Sequence, residues 1–221
     1  MEFAEYGQYI VDNFPLIARL TMEHAALVFI AVGLAILTGV PIGILITQNR
    51  KVASAVIYIA SVIITIPSIA LFGIMIPILS MVGQGIGAVP AIIAVLLYSQ
   101  LPIIRNTYTA VENINPAMRE AARGIGMTNF QRLRWVEIPN ALPVIMAGVR
   151  TAVVMSIGIM AIATYIGAGG LGSLISRGIS QSDPRQLIVG SAAVSLLAIV
   201  ADQALAWLQT RLTPKGSRAA H

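Results

Sequence analysis

The 221-residue chain contains no cysteine and few charged residues. Without cysteine it can form neither a disulfide nor a thiolate metal site. Charged residues make up 10% of the chain, against about 25% in soluble domains, while 57% are hydrophobic. This balance predicts an integral membrane protein. The net charge of +5 does not indicate a nucleic-acid partner, because the basic residues lie between apolar runs.

Patterns typical of catalysis and cofactor binding are also missing. Lys51 and Lys215 are the only lysines and neither follows a glycine, so the chain lacks a G-x4-G-K-[ST] phosphate-binding loop. His24 and His221 do not cluster with carboxylates, which predicts no metal site. No Ser–His–Asp or paired-carboxylate arrangement is visible. We therefore expect no catalytic residue, and no cofactor or metal bound by this chain.

Long apolar runs occupy most of the sequence. A helix that crosses a bilayer needs about 20 residues. Five runs meet this need, and the predicted spans are 25–47, 54–80, 88–104, 141–166 and 186–209. No charged residue occurs anywhere in 52–104, and this stretch is too long for one helix. The Gly-rich stretch 83–87 is therefore the predicted break between the second span and the third. The sequence predicts an all-α membrane protein with about five spans in a surrounding lipid bilayer.

The two ends of the chain differ from this apolar middle. Phe3, Tyr6, Ile10 and Phe14 recur at helical spacing, which predicts an external interfacial helix over 1–23, with a disordered terminus as the alternative. Pro15 suits the first turn of a following helix. We assign 24–210 to a transmembrane domain and 211–221 to a tail.

The distribution of Lys and Arg predicts the orientation. If the tail lies inside the cell, the inner segments hold ten basic residues and the outer segments three. Cytoplasmic loops of membrane proteins carry such an excess of positive charge. We therefore expect the N-terminus outside, the C-terminus inside, and the polar segment 106–139 in the cytoplasm of a protein of the inner cell membrane.

Within that segment, residues 120–139 read EAARGIGMTNFQRLRWVEIP. Gly126 can end a first helix in a left-handed conformation, and Thr128 or Asn129 can cap a second. Ala121 and Ala122 are small and would let a partner surface approach. The second helix carries apolar and basic side chains, which are Phe130, Leu133 and Trp135 with Arg132 and Arg134. These features predict two short polar helices outside the bilayer.

The spacing resembles the EAA signature of ABC importer permeases, in which EAA-x3-G is followed about nine residues later by I-x-L-P. Val136 and Ile138 replace the usual Ile and Leu. In that family the segment is a cytoplasmic helix–turn–helix whose short second helix docks into a groove of a separate ATPase subunit. An amphipathic loop without a partner is the alternative. The docking residues that the resemblance implies are Glu120, Ala121, Ala122, Gly126, Asn129, Phe130, Arg132, Leu133, Arg134 and Pro139.

Further stretches resemble the osmoprotectant importers, which move glycine betaine, carnitine and choline. They include Ile66-Pro67-Ser68, the stretch LPIIRNTY at 101–108 and IGAGGLG at 166–172, and the likeness covers about 24–210. It implies a type I importer fold similar to the methionine importer permease. The implied partners are two ATPase subunits that bind ATP and Mg, a second permease (identical or paralogous) and an external substrate-binding protein. An importer of another small solute, such as an amino acid, remains open.

Gly167, Gly169, Gly170 and Gly172 form a G-x-G-x-x-G pattern. A dinucleotide-binding loop needs a strand before this pattern, whereas here a long apolar span precedes it. Glycines allow close helix approach and sharp backbone turns. We therefore interpret the stretch as a hinge at the outer mouth, either flexible or tightly packed.

Two charges lie within the predicted spans. Arg150 follows Pro139 by eleven residues and Asp202 precedes Arg211 by nine, so both lie about 13–16 Å from the inner side at helical rise. Charges at such depth usually find protein partners. The two side chains can pair if spans four and five are neighbours. Alternatively, each is satisfied separately.

Two other classes of protein remain open. A stand-alone secondary transporter or channel could use Arg150 and Asp202 as an ion-coupling pair, although an inverted repeat is not visible. A non-transporting subunit of a membrane complex is the third class. For an importer of quaternary amines, aromatic rings are the expected contacts. Tyr58, Tyr98 and Tyr165 are the candidates to line the pathway, and because only 6% of the chain is aromatic we expect the binding protein to supply most of the selectivity.

Overall fold

The computed structural model describes residues 3–213, and this part of the chain is helical with no strand. The last eight residues of the predicted tail lie outside the described residues. Three short turns extend the helices, a 3-10 turn at Ile46–Gln48, a π-helical turn at Leu133–Glu137 and a 3-10 turn at Ala163–Ile166. The helices are α1 Phe3–Asp12, α2 Phe14–Leu45, α3 Arg50–Thr65, α4 Ser68–Ser80, α5 Ala88–Glu112, α6 Pro116–Gly124, α7 Asn129–Arg132, α8 Ile138–Ile162, α9 Gly172–Ser180 and α10 Pro184–Leu212.

Four of the described helices are long and apolar enough to cross a membrane, and a fifth crossing exists if the bent pair α3 and α4 counts as one. The two helices of that pair meet at 99°. The second predicted span, 54–80, is therefore formed by two helices with a sharp bend between them rather than by one helix. Pro67 lacks an N–H and forces Ile66 into an extended conformation (φ −70°, ψ 125°), which ends α3.

The first spanning helix begins earlier than predicted. α2 starts at Phe14 with Pro15 in its first turn and continues through residues 23 and 24 without a break. The boundary between the predicted external segment and the transmembrane domain therefore falls inside a helix. Proline at this position costs no hydrogen bond, because the first N–H groups of a helix have no partner within it.

The core forms where α5 lies between α2 and α8. Ala35, Ala94 and Ala152 are completely buried there. Glycines allow a closer approach still: a Cβ atom on Gly43 would lie 2.6 Å from Thr107 Cβ, and one on Gly148 would lie 2.6 Å from Asn106 Cβ. Small residues let helix backbones come close inside a membrane, where packing replaces the hydrophobic driving force. The three helices thus form one tightly packed body.

Residues 167–184 connect α8 to α10 and are only partly irregular. The second half of this connection folds into α9, which packs against α10. A Cβ atom on Gly178 would lie 2.5 Å from the backbone nitrogen of Leu187, so α9 and the start of α10 are in backbone contact. The left-handed glycines end at Gly170, and the residues after them are compatible with helix.

Candidate functional site

The segment between α5 and α8 begins with the short helix α6. The side chain of Asn115 caps its start by accepting the N–H of Ala117. At its end, Gly126 adopts φ +79° and the N–H groups of Gly126 and Met127 bond to the carbonyls of Arg123 and Ala122. This is the Schellman arrangement, which needs a left-handed residue at that position. The prediction that Gly126 ends the first helix is confirmed.

Helix α7 starts with a complete capping box. The Thr128 hydroxyl accepts the N–H of Gln131 at 3.2 Å, while the Gln131 side-chain oxygen accepts the N–H of Thr128 at 2.8 Å. Of the two caps proposed from the sequence, Thr128 is the one used and Asn129 is the first helical residue. Both ends of the turn between α6 and α7 are therefore fixed by local hydrogen bonds.

This turn presents large apolar side chains outward. Ile125, Phe130 and Trp135 are 74%, 68% and 66% exposed. The guanidinium of Arg134 lies 5.5 Å from the centre of the Trp135 ring, and Glu120 is exposed nearby in sequence. We call these five residues the platform surface. Exposed apolar side chains of this size on short ordered helices are typical of a protein interaction site.

Two of the predicted docking residues face inward instead. Ala122 is 4% exposed and packs against the body of the protein, so only Ala121 of the alanine pair can meet a partner. The Nε of Arg132 donates to Glu137 Oε1 at 2.9 Å. Ala122 and Arg132 therefore support the platform surface from behind rather than forming part of it.

Sequence reasoning missed the residue that holds this region together. The buried carboxylate of Glu137 accepts hydrogen bonds from Arg132 and, at 3.1 Å, from Arg119 on α6. Arg119 also donates to the carbonyl of Val111 near the end of α5 at 2.6 Å. One carboxylate thus links α5, α6, α7 and the start of α8. A buried acid with two cations is the sort of contact that only the tertiary arrangement creates.

The short second helix is not a separate element. From Asn129 to Ile166 the chain is helical without interruption, because the π-helical turn Leu133–Glu137 joins α7 to α8. Pro139 is the second residue of α8 and lies just after the π-helical turn, so its missing N–H removes a backbone hydrogen bond within the continuous helix. Phe130, Arg134 and Trp135 of the platform surface therefore lie on the same continuous helix as α8, whereas Glu120 and Ile125 lie on the preceding segment.

The opposite end of the bundle holds the four glycines of the predicted hinge. Gly167, Gly169 and Gly170 all have positive φ, between 73° and 84°. A Cβ atom on Gly170 would lie 3.0 Å from His24 Nδ1, and one on Gly172 would overlap the backbone of Ala161. Of the two interpretations left open, the packed one describes this structure.

The two span charges meet. Nε and Nη2 of Arg150 donate to the two carboxylate oxygens of Asp202, each at 2.9 Å. Gln209 extends the contact, since its oxygen accepts from Arg150 Nη1 at 3.1 Å and its nitrogen donates to the carbonyl of Pro143. Each charged side chain remains 30% exposed. The pair joins α8 to α10. The contact of Gln209 with this pair was not predicted from the sequence.

The three candidate tyrosines lie in different surroundings. Tyr98 is 3% exposed and its hydroxyl donates to the carbonyl of Ile66, so its ring is packed inside the chain in this conformation. Tyr58 and Tyr165 are 69% and 60% exposed. Tyr165 lies in the 3-10 turn that precedes the glycine segment, whereas Tyr58 lies on α3. The structure therefore does not bring the three rings together.

Among residues 3–213, no group of three or more His, Asp or Glu side chains could hold a metal ion. The ion pairs Arg50–Glu112, Arg119–Glu137 and Arg150–Asp202 each join two helical elements.

Residues 39–215 match the family described as binding-protein-dependent transport system inner membrane component. The chain belongs to this family. It is a multi-pass membrane protein and an ABC importer permease, and such a permease implies an ATPase and a substrate-binding partner.

Two curated relatives narrow the resemblance. The chain is 60% identical over 210 residues to the osmoprotectant import permease protein OsmW of Salmonella typhimurium strain LT2, covering 95% of this chain and 98% of the relative. It is 44% identical to the glycine betaine/carnitine/choline transport system permease protein OpuCB of Bacillus subtilis strain 168, covering 89% and 88%. An inward-facing structure of the MetNI methionine ABC transporter is similar with a TM-score of 0.82 at 25% identity, covering 92% of this chain and 99% of that chain. The predicted type I importer fold is thereby confirmed.

Proposed function

We propose that this chain is the permease subunit of an ATP-driven importer for osmoprotectant quaternary amines such as glycine betaine, carnitine and choline. The observation that carries the proposal is the 60% identity, over nearly the whole chain, to a protein named as an osmoprotectant import permease. An amino-acid substrate has weaker support, since the methionine transporter shares 25% identity. Direct measurement of uptake of the three amines, by a complex assembled with its ATPase and binding protein, tests the proposal.

The ATPase subunit binds the platform surface. Ile125, Phe130 and Trp135 offer apolar area, and Glu120 and Arg134 add charge at its edge. A surface of this kind gains most of its binding energy from a few large side chains that become buried. The capped ends of α6 and α7 support this role, because they hold the apolar side chains in place before the partner arrives.

A movement of the ATPase is transmitted to the membrane-spanning helices through α8. Phe130, Arg134 and Trp135 of the platform surface belong to the same continuous helix as α8, so a rotation of this part tilts α8. The Arg150–Asp202 contact makes α10 follow α8, because two parallel charge-assisted hydrogen bonds resist sliding. This geometry favours a mechanical link over the ion-coupling role, since the two charges satisfy each other.

Two permease subunits, two ATPases and one external binding protein make up the proposed complex, and ATP with Mg is bound by the ATPases. The described chain supports a pathway between subunits, because the centre of its own bundle is filled by completely buried side chains such as Ala35, Ala94 and Ala152. The tyrosines that remain exposed, Tyr58 and Tyr165, are candidates to line such a path.

A matched pair of substitutions tests the docking proposal. Phe130→Asp places a charge on the platform surface, and Phe14→Asp changes an equally exposed phenylalanine (63%) at the start of α2. We expect Phe130→Asp to remain in the membrane, to lose co-purification with the ATPase and to lower ATP-dependent uptake by about tenfold or more. Phe14→Asp should keep both properties. Unchanged co-purification of Phe130→Asp would place the docking site elsewhere.

The proposed orientation has its own test. The absence of native cysteine allows single cysteines to be introduced at Ser173, Ser182 or Thr128. A reagent that cannot cross the membrane should label the first two from outside intact cells and the third only after lysis. The reverse labelling would invert the orientation. The tail position Ser217, a further candidate for labelling after lysis, lies outside the described residues.

A further inference from the structure

A second arginine within a spanning helix lacks the counter-charge that Arg150 has. Arg105 lies on α5, seven residues before Glu112 and so about 10 Å from the end of that helix. Its Nη2 donates to the Ser61 hydroxyl on α3 at 3.2 Å. No carboxylate among residues 3–213 lies within ion-pair distance of it. Arg105 is exposed at the inner end of the third predicted span, where its guanidinium is available to an anion or to water.

Arg105 lines an open surface cavity of about 370 Å³ between α3 and α5. Two tyrosines, Tyr58 and Tyr108, line the same cavity, together with the Ser54 and Ser61 side chains. Tyr58 is 69% exposed and Tyr108 is half-buried, so both rings are accessible. The volume lies within the range of about 300–1,000 Å³ that small-molecule sites occupy.

The side chains of this cavity are suited to bind a zwitterion. A guanidinium is suited to bind a carboxylate through two hydrogen bonds, and aromatic faces attract a quaternary ammonium. The second arginine of the cavity, Arg50, is already paired with Glu112 at 3.4 Å, which leaves Arg105 as the free cation. Arg105 therefore favours an anionic group at one end of the cavity, and the tyrosine rings favour a quaternary ammonium group beside it.

We propose that Arg105, Tyr58 and Tyr108 form a binding site for a zwitterionic quaternary amine, with the carboxylate on Arg105 and the methylated ammonium on the tyrosine rings. The inference rests on the proposed function, and it names the part of the substrate that each residue contacts. Arg105 also sets specificity. It attracts glycine betaine and carnitine, which carry a carboxylate, and it disfavours choline, which has the same cationic group without one.

The difference between glycine betaine and choline supplies the test. Binding of each amine to the purified complex, with its ATPase, is measured by saturation transfer to the methyl protons. Arg105→Gln should weaken glycine betaine binding by about tenfold or more, because a hydrogen-bonded charge is lost. The same change should leave choline binding equal or stronger, because a like charge is removed. A merely structural role would weaken both amines together.

Two control substitutions sharpen the result. Arg50→Gln removes the other positive charge of the cavity, one that already has a carboxylate partner, and should change binding of both amines less than about twofold. At the ring position, Tyr58→Phe should keep binding of both amines and Tyr58→Leu should weaken both, since the aromatic face and not the hydroxyl holds the ammonium.

Opposite outcomes separate the possible failures. If the complex imports none of the amines, the proposed function fails. If it imports them but Arg105→Gln weakens glycine betaine and choline equally, or neither, the site is overturned while the function stands. Arg105→Gln could also weaken binding of both amines equally and regain that binding when the phosphatidylglycerol content of the surrounding lipid is changed. This result would assign Arg105 to a lipid headgroup and would also overturn the site.

Discussion

The two ends of the helical bundle are held in order by different kinds of contact. At the end formed by α6 and α7, short helices are capped by their own side chains and present Phe130 and Trp135 to the surroundings. At the other end, Gly170 and Gly172 bring backbone against backbone, and a Cβ atom at either would crowd His24 or Ala161. The first end is ordered locally and left open for a partner, whereas the second is ordered by its contacts with the rest of the chain. Substitutions should therefore affect partner binding at one end and folding at the other.

The largest effect should come from Gly172→Val at the glycine end. Its side chain would overlap the backbone of Ala161, and backbone cannot move aside as a flexible side chain can. We expect a loss of about 3 kcal/mol or more in stability, measured as loss of folded protein in detergent by thermal unfolding. Gly33→Ala is the control, since nothing lies within 4 Å of its new methyl group. Equal yields of the two variants would remove the contrast between the ends.

Glu137→Gln should be next in size, and it should act at the platform end. The change leaves Arg119 and Arg132 close together without their buried carboxylate. Breaking a buried charge pair by removal of one partner costs about 3–5 kcal/mol, and the partial exposure of Arg119 (27%) places the expected loss at or below the lower limit. ATPase co-purification should fall together with the unfolding temperature.

Glu112→Gln is the matched control for that substitution. It removes a carboxylate whose partner Arg50 is 88% exposed, and such surface pairs contribute about 0–1 kcal/mol. If both glutamate variants behave alike, Glu137 does not hold the platform surface.

A smaller effect is expected at Gly126. Valine there must adopt φ +79°, which costs about 1–2 kcal/mol for a residue with a Cβ atom. The protein should stay folded in the membrane while ATPase docking and uptake weaken. Gly124→Ala, two residues earlier at the end of α6, meets nothing within 4 Å and should be neutral. Normal uptake by Gly126→Val would contradict a role for this turn in docking.

The smallest effect concerns acidification at the glycine end. Asp183 caps α10, and the hydrogen bond from the Arg185 side chain lowers the pKa of that carboxyl below its ordinary value of 3.8. The folded state therefore gains stability from the ionised carboxyl above pH 3.8 and loses it as the pH falls through the lowered pKa. Asp183→Asn should flatten the decline of the unfolding temperature below pH 4. An unchanged pH profile would show that this cap does not contribute.

Local patterns in the sequence predicted much of the platform end. Gly126 and Thr128 fix helix ends through contacts within about five residues, so their roles follow from residue type and spacing. The Arg150–Asp202 pair could also be predicted from the sequence, because two charges at matching depth in neighbouring spans have few other partners. The contact of Glu137 with Arg119 gave no such signal, since Arg119 lies 18 residues away on another helix.

The sequence by itself determined the class of this protein, its apolar spans and the position of the segment between α5 and α8. Hydrophobic runs and helix caps depend on neighbouring residues, and the membrane requires helices wherever such runs are long enough. Pro67 marks the break between α3 and α4 in the sequence itself. Only the tertiary structure decided the 99° angle between these two helices, the burial of Tyr98 and the cavity that Arg105 and Tyr58 share. These features depend on how helices distant in sequence pack, and packing is set by the shape of every side chain at the contact rather than by local pattern.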